Sequence, residues 1–143
     1  MRGVERHYRI GPARRAYDDP SYVHLTEAFE GVGLRPYAPT HLSAERHSDG
    51  GLRLGWTRRT RIDGDSWQAL DVPLGEEREQ YLVRLLQDEA VVREDVIDVT
   101  RFIYSRASQI SDGDVVSAFE VAQISSRFGP GPFQRMQLHA QNL

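Results

Sequence analysis

Between residues 39 and 139 the chain sets apolar against polar positions in short runs, and clusters of Gly, Pro, Asp and Ser separate them. Spacings of about 8 to 12 residues, or somewhat more, predict the strands of a β-sandwich rather than helices. The first strand, residues 40–46, follows Pro39, and Ser48-Asp49-Gly50-Gly51 turns the chain into residues 52–56. There Leu52, Leu54 and Trp56 alternate with Arg53 and Gly55, so the period of two places three apolar side chains on one face and Arg53 in water. Residues 81–86 repeat the pattern with Tyr81, Val83 and Leu85, and a turn at Asp88-Glu89-Ala90 leads into a hairpin partner at 91–93. Further strands are expected at 102–105, 115–125 and 133–139, the last after the turn Gly129-Pro130-Gly131-Pro132. Within 115–125, Phe119, Val121 and Gln123 face opposite to Ala118, Glu120, Ala122 and Ile124. The expected core is therefore Leu52, Leu54, Trp56, Tyr81, Val83, Leu85, Phe119 and Val121.

Two segments break the rhythm. Residues 58–73 are too polar for a buried strand and predict a long loop or a distorted edge. Residues 76–86 carry Leu82, Leu85 and Leu86 at helical spacing, but Tyr81 and Val83 at alternate positions favour a pleated sheet. Ahead of the sandwich, residues 1–38 offer only two strands, at 8–10 and 23–30, and residues 31–39 form a Gly- and Pro-containing linker. Two strands make no stable core in water. This N-terminal arm is therefore expected to dock on a neighbouring subunit or domain, with residues 39–143 as the sandwich.

At 143 residues the chain has enough length for one sandwich-sized core and a small extra layer. The absence of cysteine removes disulfides and thiolate ligands. No stretch approaches the roughly 20 apolar residues of a membrane span, and Met1 to Arg6 lead into no signal-peptide core. All 18 basic Lys/Arg positions are arginine, balanced by 21 acidic residues to a net charge of −3, which argues against a nucleic-acid-binding field.

Candidate chemistry is sparse. Asp18-Asp19, Asp63-x-Asp65, Glu76-Glu77 and Asp112-x-Asp114 are paired carboxylates, but none has the further oxygen ligands of a calcium loop. His7, His24, His41, His47 and His139 show no metal-gripping spacing along the chain, and no serine sits in a nucleophile elbow. The expectation is a non-enzymatic chain with no cofactor and no metal. Arg58, Arg59 and Arg61, with Trp67 nearby, form the one dense basic run, read as an interface or ligand loop.

Pro39-x-x-Leu42, GLRLGW at 51–56, YLVRLL at 81–86, FIYS at 102–105 and FEVAQISSRFGPG at 119–131 resemble a fibronectin type III domain. That likeness implies an all-β, seven-stranded sandwich, although Phe119 stands where such domains commonly carry a corner tyrosine. RAYDDPSY at 15–22, FEGVGLRPYAPTHL at 29–42, GLRLGWTRRTRIDGDSW at 51–67, DVPLGEE at 71–77 and VAQISSRFGPG at 121–131 resemble the C-terminal end of the large tail-tip protein of gene transfer agents and related alphaproteobacterial siphophages. The family, often labelled host specificity protein, has a TIM-barrel-like domain upstream that is not in this sequence. The resemblance implies a tail-tip or baseplate component, made in the bacterial host cytoplasm and built into a symmetric multi-copy virion assembly. Its partners would be hub or tail-tube subunits and a host-surface receptor or glycan. A carbohydrate-binding module, with Trp67 and the arginine loop as its platform, is the alternative.

Overall fold

The computed structural model describes residues 3–29, 31–62 and 72–138. The chain divides into two compact units, Met1–Leu34 and Arg35–Leu143.

The first unit is a two-stranded antiparallel hairpin of β1 (Glu5–Ile10) and β2 (Val23–Ala28), followed by a 3-10 turn at Val32–Leu34. Its long connection is organised locally. The Asp19 carboxylate accepts bonds from the Ser21 backbone N–H and hydroxyl, at 2.9 and 2.6 Å, which hold it below the usual carboxylate range. The Tyr22 hydroxyl donates to the Pro12 carbonyl at 3.0 Å.

The second unit is a β-sandwich. Its smaller sheet has the order β3-β4-β7, from Thr40–Arg46, Leu52–Thr57 and Arg101–Tyr104. The larger runs β10-β8-β5-β6, from Gln134–Gln137, Ala118–Ser125, Tyr81–Gln87 and Ala90–Ile97. A two-residue β9 (Gly129–Pro130) pairs with β8. Every pairing is antiparallel. Three strands facing four, each sheet drawing strands from both halves of the unit, make an all-β sandwich of the fibronectin type III kind.

Both inner faces follow the period-two pattern. Leu52, Leu54 and Trp56 of β4 meet Tyr81, Val83 and Leu85 of β5 and Phe119 and Val121 of β8 in one buried cluster, joined by Ala44 and Tyr104. The Trp56 ring meets Tyr81 edge-on at 5.3 Å, a favoured aromatic geometry. On the outer face of the larger sheet, Arg84 stands directly opposite both Glu94 and Glu120 and pairs with them at 2.6 and 3.4 Å. Its guanidinium lies over the Phe133 ring at 4.3 Å, so one cation ties three strands and the segment before β10.

The strands at the sheet edges are interrupted or charged. A register shift between Thr40 and Ser43, with His41 in the left-handed region at φ 48°, bulges β3. β6 carries Arg93, Glu94 and Asp95 in succession. Between β7 and β8 lies α1 (Arg106–Ser111), one short helix that the strand pattern did not predict. Ser105 caps it by accepting the Ser108 N–H at 3.1 Å.

Candidate interaction site

The hairpin register sorts its side chains into two unlike faces. Tyr8 pairs with Leu25, Ile10 with Val23 and Arg6 with Glu27, so Tyr8, Ile10, Val23 and Leu25 lie side by side. Phe29 joins them, its ring edge-on to Tyr8 at 5.9 Å. In an ordinary domain this face would be a core wall. Here Ile10 is 59%, Val23 66%, Leu25 45% and Phe29 58% exposed. Burying a side chain of this class is worth on the order of 1.5–3 kcal/mol, so four together constitute a strong drive toward an apolar partner. Beside them Phe29, Val32 and Gly33 line a hollow of about 360 Å³, large enough for a partner's side chain.

The opposite face is polar. His7 and His24, seventeen residues apart in sequence, meet there with Nδ1 of His7 3.0 Å from Nε2 of His24. Thr26 Oγ1 lies 3.3 Å from the same His7 nitrogen. Spacing along the chain gave no hint of this pair, because strand register alone brings it together.

The arginine run is spent largely within the sandwich unit. Arg58 donates to the Val72 carbonyl at 2.5 Å and pairs with Glu79 at 3.2 Å. Arg61 pairs with the nearly buried Glu76 at 2.7 Å, and Arg59 lies over the Tyr37 ring at 5.2 Å. Trp67, like Asp63 and Asp65, lies outside the described residues. Arg58 and Glu79 also border a cleft of about 390 Å³ with Trp56, Asp98 and Thr100. The Trp56 indole N–H finds no acceptor among the described residues.

The remaining carboxylate pairs hold the scaffold together. Asp112 takes Arg93 and Tyr104, Asp114 takes Arg106, and Glu77 takes Arg127 and Ser126. Among the described residues no three His, Asp or Glu side chains converge as a metal cage would require.

No family model and no curated protein matches this chain. Among solved structures, domains d3-d4 of the rat CD45 extracellular region are similar to it, at 12% identity and a TM-score of 0.48. The match covers 96% of this chain and spans 65% of the length of that one.

Proposed function

We propose that the chain is a non-catalytic structural module of the tail tip or baseplate of a long-tailed particle. Its β1–β2 hairpin joins a neighbouring tail subunit, and its type III sandwich is the displayed body. The setting rests on the long sequence strings at 15–22, 29–42, 51–67 and 121–131. The observation that carries the docking role is the solvent-exposed row of Ile10, Val23, Leu25 and Phe29 on a hairpin too small to hold a core. The ion-paired carboxylates at 76–77 and 112–114 support a scaffold rather than an acid–base site.

Immunogold labelling of intact particles, with antibody against this chain, tests the setting, and label at the tail tip is expected. Particles carrying the paired substitutions Leu25→Glu and Phe29→Glu test the docking role. They are expected to assemble without this chain while the purified variant keeps its sandwich melting transition. Unlabelled wild-type particles would overturn the setting, and normal incorporation of the double variant would overturn the hairpin's role.

A further inference from the structure

The polar face of the hairpin carries a feature that docking through the apolar face does not use. His7 and His24 project from adjacent strands, diagonal to each other in the register, with ring nitrogens 3.0 Å apart. Their planes differ by only 8° and both residues are exposed. Two imidazole nitrogens bound to one ion at about 2.0–2.1 Å, in neighbouring positions, lie roughly 3–3.4 Å apart. The observed separation falls at the lower end of that span.

From this geometry we propose that His7 and His24 form a two-imidazole site for a borderline divalent transition ion such as zinc, nickel or copper, which staples β1 to β2. In the free protein one ring presents a lone pair and the other an N–H across the 3.0 Å gap. On binding, His7 ligates through Nδ1 and carries its proton on Nε2, while His24 ligates through Nε2 and carries its proton on Nδ1. The switch of tautomer and a rotation of roughly 40° in each of two solvent-facing rings, whose nitrogens point at each other in the free protein, replace the hydrogen bond by the ion. Imidazole is the ligand this class of ion favours, and water or a neighbour's donor fills the other positions. Thr26, 3.3 Å from His7 Nδ1, is placed to hydrogen-bond a metal-bound water. Arg9, directly opposite His24 in register, places a positive charge on the same face, and its guanidinium lies over the Tyr17 ring at 4.9 Å. Linking strands seventeen residues apart in sequence, the ion adds its binding free energy to the stability of a marginal hairpin.

The test is titration of the tag-free full chain with zinc chloride at neutral pH, followed by calorimetry and by the imidazole nitrogen resonances. One site is expected, with the ring signals of His7 and His24 shifting together. His7→Gln and His24→Gln are each expected to weaken zinc by at least about tenfold, the scale on which even outer-sphere changes weaken metal sites. His41→Gln is expected to leave binding unchanged. Should a glutamine variant loosen the hairpin, the ring resonances of the unsubstituted chain still decide. Absence of zinc binding, affinity unchanged in both variants, or ring signals of His7 and His24 that stay put would overturn the proposal.

Discussion

Asp112 gathers donors from both sheets of the sandwich. Arg93 of β6 makes a two-pronged contact with it at 2.7 and 2.9 Å, and the buried Tyr104 hydroxyl at the end of β7 donates at 2.9 Å. The Arg93 bonds hold the carboxyl below its usual range, while burial and the Asp112 partner push the Tyr104 phenol up. Asp112→Asn should cost about 1–3 kcal/mol at pH 7, because it removes the charge from the bonds and sets an amide N–H2 against an Arg93 N–H where a carboxylate oxygen had accepted. Because the folded carboxyl titrates below its unfolded value of about 3.9, its contribution is fully present above that pH and disappears as pH falls through the depressed value. Urea midpoints of wild type and variant are thus expected to differ at pH 7 and to draw together toward pH 3. A glycine pair offers a second comparison. A Cβ at Gly131 would run into the Pro36 carbonyl, whereas one at Gly33 meets nothing. Gly131→Ala should lose about 1–3 kcal/mol, and Gly33→Ala should stay within about 0.5 kcal/mol, both read by denaturant unfolding. Neither the Asp112 hub nor the Pro36–Gly131 approach was legible in the sequence, since each joins residues that only the folded topology brings together.

Strands were the legible elements. Leu52, Leu54 and Trp56, like Tyr81, Val83 and Leu85, announce themselves because alternation is local to a strand, and all six are buried on the inner faces. Leu54→Ala, at a fully enclosed site between the sheets, should therefore cost about 3–5 kcal/mol in thermal or urea unfolding. The helix α1 escaped because six residues hold too few turns for an apolar stripe, leaving only the Ser105 cap as a signal. The arginine run was legible as charge but not as structure. Glu76 and Glu79, which occupy Arg61 and Arg58, lie fifteen and twenty-one residues downstream on the far arm of the loop. Removing residues 1–34 is expected to leave the melting transition of the sandwich unchanged, since among the described residues its core cluster draws on none before Leu42. Calorimetry on the truncated chain checks this.

At the scale of the whole molecule, stickiness is unevenly distributed. β3 is kinked at its bulge, β6 presents three charges in a row, and β7 and β10 are four residues each, all devices that discourage strand-to-strand adhesion. The hairpin instead presents an open apolar row. Light scattering across a concentration series should accordingly show association of the full chain that Leu25→Glu together with Phe29→Glu suppresses, at unchanged unfolding midpoint. Among the described residues, this row on the hairpin is the face through which the docking proposed above would act. A subunit that attached through that face alone would terminate whatever it joined: it would decorate a ring or cap a stack at fixed stoichiometry, and copies of it would not propagate into a filament, however crowded the platform became.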